Sequence, residues 1–329
     1  MLPANAGVEK DVRICESDDS EFATKFDACS RLIESDHWSS NELAVHFYHR
    51  GIADLNLGRW DDAISDNTEA IRLNPNIMLA FNNRGLAFQA KGELDRALED
   101  FNVCVRMDPK RGESYYNRGN VFLASNQVIR AIQDYDQAIH LNAQLAVAFF
   151  NRAAAHMEVG DYHLAINDFN TTARLTPDDP AVYLGRGNAL SKMDNHLPAI
   201  EDYSKAIDLN PDYLEAYFNR GLAYEKSGQH DKSAQDMRHA IDLNPNNLEF
   251  RMHLAVAYAN GGREDEAIEA FGSAIELEPN DATAFFFRGL MYEQKGLKER
   301  ALEDFKKAHD LGMRNPDLFE KLRKYGALP

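Results

Sequence analysis

The sequence predicts an all-α protein, a right-handed superhelical solenoid of tandem helix hairpins, and three observations predict it. A small residue returns every 34 residues in the series Gly51, Gly85, Gly119, Ala153, Gly187, Gly221, Ala255 and Gly289, with no insertion or deletion. A second series, Ala63, Ala97, Ala131, Ala165, Ala199, Ser233, Ala267 and Ala301, keeps the same step. Around both, apolar residues recur at three- and four-residue intervals, as in Phe81, Gly85 and Phe88 and again in Leu94, Ala97, Leu98 and Phe101, the spacing of amphipathic helices. A fixed period decides the architecture before any single element does. One helix pair cannot cover its own apolar faces, so neighbours stack and enclose a concave inner surface.

The elements follow in chain order. Residues 1–20 are polar and poorly patterned and read as a flexible N-terminal segment. Residues 21–43 read as an N-terminal capping helix and linker: Phe22, Phe26, Cys29 and Leu32 have the spacing of a second helix alone, and Trp38 stands in the linker. Residues 44–315 hold eight 34-residue units. In each, a turn separates two helices, with Gly58, Gly92, Gly160, Gly228, Gly262 and Gly296 supplying left-handed backbone. Pro75, Pro109, Pro177, Pro211, Pro245 and Pro279 end the second helix, because proline disfavours helical geometry in the residue before it. The small residue at the eighth place lets the second helix approach. The aromatics Phe47, Phe81, Tyr115, Phe149, Tyr183, Tyr217 and Phe285 are expected to fill the space beside it. Residues 316–329, with Pro316 at their start, read as a C-terminal capping helix over the final apolar face.

Eight copies of one unit allow positions to be compared within the chain. The seventh place is arginine (Arg50, Arg84, Arg118, Arg152, Arg186, Arg220, Arg288) except at Leu254. The twenty-third is aspartate (Asp66, Asp100, Asp134, Asp168, Asp202, Asp236, Asp304) except at Ala270, in the same unit. The paired loss predicts that each arginine forks onto the aspartate of its own hairpin. Cys104 takes a small-residue place shared with Ala70, Ala138 and Ala206 and is expected to be buried.

Units such as AFNNRGLAFQAKGELDRALEDFNVCVRMDP and AYFNRGLAYEKSGQHDKSAQDMRHAIDLNP resemble the tetratricopeptide repeat (TPR), in its variant with an aromatic in place of the first tryptophan. The resemblance covers eight units from residue 44 to about 315. It implies a protein-protein interaction scaffold that binds a peptide or partner segment in its concave groove, lined by the second, fifth, sixth, ninth, twelfth and thirteenth places. The fifth place carries the aromatic-rich stripe Tyr48, Asn82, Tyr116, Phe150, Leu184, Phe218, Met252 and Phe286. The sixth carries Asn83, Asn117, Asn151 and Asn219, similar to the asparagine ladder of O-GlcNAc transferase. An amide offers a donor and an acceptor to a peptide backbone. Asn120 with Asn151, and Asn188 with Asn219, match the asparagine half of the clamp that holds chaperone tails, while the lysine half is absent.

The arrangement also resembles bacterial secreted TPR proteins, which carry one cysteine before and one inside an equivalent first helix. Ala4-Asn5-Ala6 followed by Gly7 resembles a signal-peptidase site, without the apolar segment that should precede it. On that resemblance Cys15 and Cys29 form a possible disulfide, and the expected location is periplasmic or secreted. The alternative is two unrelated thiols in a cytoplasmic protein.

Composition narrows the function. Thirty-six basic against fifty-three acidic side chains give a net charge of -17, which argues against nucleic acid as a partner. No run of about 18 apolar residues offers a membrane span. A phosphate-cradling glycine loop, an H-E-x-x-H pair and a nucleophile elbow are all missing, so neither a cofactor nor catalysis is expected. His46 and His49 share a helix face but lack further metal ligands. His156 reads as a hydrogen-bonded core histidine, and Asp54 with Asn67 as a local hydrogen-bonded pair. The protein is expected to be a monomer. The alternatives are a self-associating structural oligomer whose groove holds a neighbour's terminal helix, and an enzyme with an unrecognised site.

Overall fold

The computed structural model describes residues 3–35 and 38–328, with side chains from residue 7 onward. The first two residues, two in the linker expected within 21–43, and the last residue of the expected cap lie outside that description. Among the described residues there are nineteen helices and no strand, an all-α helical-repeat solenoid. Two helices come first, α1 (Pro3–Glu16) and α2 (Phe22–Ile33). Four hairpins follow: α3 (Ser40–Asn56) with α4 (Trp60–Leu73), α5 (Met78–Ala90) with α6 (Leu94–Met107), α7 (Gly112–Ala124) with α8 (Val128–Leu141), and α9 (Ala146–Glu158) with α10 (Tyr162–Leu175). Four more are α11 (Pro180–Lys192) with α12 (His196–Leu209), α13 (Leu214–Lys226) with α14 (His230–Leu243), α15 (Leu248–Asn260) with α16 (Glu264–Leu277), and α17 (Ala282–Gln294) with α18 (Lys298–Asp310). The short α19 (Pro316–Lys324) comes after them. The chain forms two compact bodies, residues 1–175 with α1–α10 and residues 176–329 with α11–α19. No helix among the described residues is long and apolar enough to cross a membrane.

The N-terminal body departs from expectation at its start. Residues 3–16 form α1 where the sequence reads as a flexible segment. A short polar helix is not stable by its own propensity, and its order here is tertiary. Cys15 is buried and disulfide-bonded to Cys29 of α2, Val12 and Ile14 pack on the same cluster, and Asp11 accepts two hydrogen bonds from Arg31 at 2.7 and 2.9 Å. Helix α3 begins one turn ahead of the repeat period because Ser39 and Glu42 form a capping box, with Glu42 N donating to Ser39 Oγ at 3.3 Å.

The eighth-place glycines do let the helices of a hairpin touch, but the ring beside them is not the one expected. A Cβ added at Gly119 would sit 2.8 Å from Tyr135, and one at Gly187 would sit 2.6 Å from Tyr203. These rings belong to the second helix, at the twenty-fourth place, where Phe101, Phe169, Phe271 and Phe305 are also buried. The fourth-place aromatics Phe47, Phe81, Tyr115, Phe149, Tyr183 and Tyr217 are half-buried instead and lie against the arginine three residues on, as Tyr115 does 5.6 Å from the Arg118 guanidinium. In the turns, Asn126 and Asp194 take the left-handed conformation at φ 58°, completing the glycine series with the two side chains that best tolerate it. Cys104 is fully buried, and burial pushes its thiol up to about 12. His156 is buried, but its Nδ1 makes no hydrogen bond among the described residues.

All seven arginines reach the aspartate of their own hairpin. Nε meets Oδ2 and Nη2 meets Oδ1 at 2.5–2.9 Å in every case. The third nitrogen reaches back one repeat: Nη1 of Arg84, Arg118 and Arg220 donates to Thr68, Asn102 and Ser204 at 2.8–3.2 Å. One guanidinium thus joins three helices. At the far end, α19 is held by Glu293 of α17, which accepts from Lys321, Lys324 and Tyr325 at 2.5, 2.7 and 3.0 Å. Burial opposes ionisation of Glu293, but these donors outweigh it and hold the carboxyl down at about 2.

The fork sets a prediction. Asp134 is 6% exposed, so Arg118→Leu leaves a buried carboxylate without its counterion and should cost about 3 kcal/mol. Arg118→Leu with Asp134→Ala, the pair of residue types the seventh repeat carries, should recover more than half of that loss in denaturant unfolding. Equal losses in the single and double variants would show that the fork does not hold the hairpin.

Candidate peptide-binding face

Successive helix positions are about 100° apart, so the fifth, sixth and ninth places lie on the side of each first helix away from the arginine fork. Within each body, first helices of successive repeats lie side by side, as α5, α7 and α9 do and as α11 and α13 do. The fifth-place aromatics expected to stand open on this face are half-buried, and Phe286 is buried. Each leans on a ring behind it. Tyr116 packs on Tyr135 at 6.1 Å, Phe150 on Phe169 at 5.6 Å and Phe286 on Phe305 at 5.9 Å, always within one hairpin. Phe218 turns forward to Phe250 and His253 of the next repeat at 5.0 and 5.5 Å, because its own hairpin offers Met237 instead of a ring. Tyr48 lies against His49 at 4.9 Å, and Met252 packs half-buried on the core of α15 and α16.

The asparagines are brought together in pairs. Asn151 Nδ2 donates to Asn120 Oδ1 at 2.8 Å and to Tyr116 Oη at 3.3 Å, and Tyr135 Oη donates to the same Asn120 oxygen at 2.8 Å. Asn219 Nδ2 donates to Asn188 Oδ1 at 2.9 Å, and Tyr203 Oη donates there too at 2.9 Å. Asn117 Nδ2 donates to Asn82 Oδ1 at 2.9 Å, a partner the sequence pattern did not single out. Asn83 is buried and departs from the ladder; its Nδ2 has no partner among the described residues. The amide nitrogens therefore tie one repeat to the previous one. No protein donor among the described residues occupies Oδ1 of Asn117, Asn151 or Asn219. The face consequently offers acceptors, the complement of peptide N–H groups.

In the C-terminal body the same face ends in a cavity of about 600 Å³. Phe286, Phe287 and Leu290 of α17 form one wall and Met313, Glu320 and Lys321 the other. Only Phe286 among these stood in the expected stripe; Phe287 and Leu290 hold the sixth and ninth places, where the eighth repeat is apolar.

A solenoid of helix hairpins with a fixed period and a paired asparagine face defines a class of helical-repeat proteins. Sequence comparison gives the family. The tetratricopeptide repeat profile matches residues 48–112, 116–180 and 254–316, more than half of the chain, and related profiles of the same family match 198–228 and 214–247. The chain belongs to the tetratricopeptide repeat family. Among solved structures it is similar to a tetratricopeptide repeat protein from Parabacteroides merdae (22% identity, 75% of this chain and 97% of that one, TM-score 0.53). It is also similar to YrrB, described as a TPR protein with an unusual peptide-binding site (22% identity, 57% and 96%, TM-score 0.52). The MamA protein matches at 25% identity over 52% of this chain and 94% of that one, with a TM-score of 0.50. No curated protein matches the sequence.

The first hairpin differs from the others in being polar inside. Asp54 and Asn67 do not form the expected pair: Asn67 donates to the Ala63 carbonyl at 2.8 Å, and Asp54, fully buried, makes no hydrogen bond among the described residues and lies 3.7 Å from Arg59. Burial, with the charges of Asp66 and Asp62, raises the Asp54 carboxyl to about 7. Burial and the charge of Lys25 lower His49 to about 4, and burial lowers His46, whose ring packs edge-on against Trp38 at 4.6 Å. Between pH 4 and 7 the folded state holds a proton on Asp54 that the unfolded state has lost, so this group's contribution to stability falls as pH rises. The two histidines act oppositely, being uncharged in the fold at a pH where the unfolded chain protonates them. Asp54→Asn removes only the falling part. Relative to wild type, the variant should gain about 1–2 kcal/mol on moving from pH 5 to pH 7 in thermal unfolding. Parallel pH profiles for the two proteins would contradict this assignment.

Proposed function

We propose that the protein is an interaction scaffold that binds an extended segment of a partner polypeptide along the first-helix face of each body. The observation that carries this reading is the spent donor and open acceptor of Asn117, Asn151 and Asn219. Their Nδ2 atoms are fixed by the neighbouring repeat, so their oxygens are held in place before a ligand arrives, which lowers the ordering cost of binding. Tyr116, Phe150 and Phe218, half-buried beside them, supply rigid walls for the side chains of the segment. A peptide-binding site is described for YrrB on this fold. The binding is sequence-tolerant at the backbone and selective at the walls, and the partner is a protein, not a nucleic acid. The role is binding and not catalysis, by a monomer. The Cys15–Cys29 disulfide supports a periplasmic or secreted location over the cytoplasm.

Truncating an interface anchor typically costs about 1–4 kcal/mol. Phe150→Ala with Asn151→Ala should weaken capture of the partner by roughly tenfold or more, with helical content and melting temperature measured alongside. Lys298→Ala, at the start of α18 and away from the face, should change nothing. Wild-type capture by a folded double variant would place recognition on another surface.

A further inference from the structure

In seven repeats the first helix carries an aromatic at the fourth place and arginine at the seventh, as in Tyr217 and Arg220. The arginine is answered by the aspartate of its hairpin, here Asp236, and, where the preceding repeat carries an acceptor at the twenty-fifth place, by that side chain, here Ser204. The seventh repeat changes every member of this group. Arg251 takes the aromatic place, Leu254 replaces the arginine, Ala270 replaces the aspartate, and Arg238 stands where the preceding repeat should supply an acceptor. A balanced ion pair is thereby exchanged for two guanidinium groups with no carboxylate at the fork.

The structure leaves a cavity of about 340 Å³ at this point, with Ile241, Leu254, Tyr258 and Ala270 as apolar walls beside Arg238 and Arg251. Arg251 gives Nη2 to the Pro245 carbonyl at 2.8 Å and Nη1 to the Ser273 hydroxyl, neither of them charged. Its Nε is buried and has no acceptor among the described residues. Arg238 forms no ion pair among the described residues. Of the acids nearby, Glu266 is held by Arg263 at 2.8 Å, and Asp242 and Glu269 stand at the exposed mouth. The fourth, seventh and eleventh places lie on the opposite stripe of the helix from the fifth, sixth and ninth, so this cavity is not part of the first-helix face.

We propose that the cavity is a second docking site, independent of that face, and that it takes the C-terminal residue of a partner polypeptide ending in an apolar side chain. A chain terminus carries a side chain and a carboxylate on one carbon. The side chain meets the apolar walls while the carboxylate accepts charge-assisted hydrogen bonds from Arg251 Nε and Arg238. The volume, at the low end of ligand sites of roughly 300–1,000 Å³, suits one anchoring residue. Asp242 and Glu269 at the mouth disfavour an extended acidic segment, whereas a single carboxylate delivered past them reaches the two arginines.

The test uses full-length protein and a fluorescein-labelled Gly-Ser-Gly-Ser-Gly-Phe peptide with a free carboxylate, followed by fluorescence anisotropy. The free acid should bind saturably, and the same peptide as its C-terminal amide should bind roughly tenfold or more weakly. Ala270→Asp restores the carboxylate that seven repeats already accommodate. It and Arg251→Gln should each weaken the free acid by a similar factor and leave the amide unchanged. Phe150→Ala with Asn151→Ala should leave this binding intact, which separates its outcome from that of the first-helix face. The proposal is overturned by equal binding of acid and amide, by undiminished binding in both Ala270→Asp and Arg251→Gln, by loss of binding in the face variant, or by no saturable binding at millimolar protein.

Discussion

The arginine–aspartate fork is the constraint on which the rest of the solenoid depends. Glycine or alanine at the eighth place lets two helices touch, but small residues alone leave the hairpin free to slide. A planar guanidinium meeting a carboxylate through two parallel hydrogen bonds fixes both distance and rotation. The third nitrogen of Arg84, Arg118 and Arg220 extends that register to the preceding repeat across 16 residues of sequence. Order therefore passes from neighbour to neighbour, as expected of a quasi-one-dimensional fold. Such a pair is lost at high cost one member at a time and at low cost together, which is how Leu254 and Ala270 coexist.

The same constraint divides each first helix into two stripes. Pinning the seventh place onto the second helix turns the fifth, sixth and ninth places away from the fork. There the asparagines repeat the inter-repeat logic with neutral amides: Asn151 is tied to Asn120, and Asn219 to Asn188. A wall whose donors are used internally and whose acceptors are open is rigid and polarised, a combination suited to holding a backbone. Where the fork is missing, the opposite stripe opens into the cavity between Leu254 and Ala270, and Arg251 is left with neutral acceptors and an unmade hydrogen bond.

Much of this was legible because the chain carries its own alignment. The 34-residue step sets the hairpins, and the joint loss at Leu254 and Ala270 points to the fork from the sequence alone. Features set by contact between distant segments were not legible. Helix α1 is polar over most of its length and is ordered by Cys15, Val12 and Asp11 meeting α2. The side chain beside each eighth-place glycine is the one at the twenty-fourth place, a ring at Gly85, Gly119, Gly187 and Gly289, because side chains at both positions fit a helical period and only the approach of the helices separates them. Asn82 is the one amide in the fifth-place series, and it is the acceptor for Asn117. Arg251 did interrupt the fourth-place aromatic series in the sequence, but an empty volume behind it is a property of packing.

Amide hydrogen exchange resolved by repeat tests the central role of the fork most directly. Helices α13–α14 keep the fork through Arg220 and Asp236, whereas α15–α16, flanked by repeats on both sides, lack it. Local opening draws on the interactions that hold each unit to its neighbours. The account predicts that amides of α15 and α16 exchange faster than the equivalent amides of α13 and α14. Equal or greater protection in α15 and α16 would contradict it, and would assign the register of the solenoid to apolar packing alone.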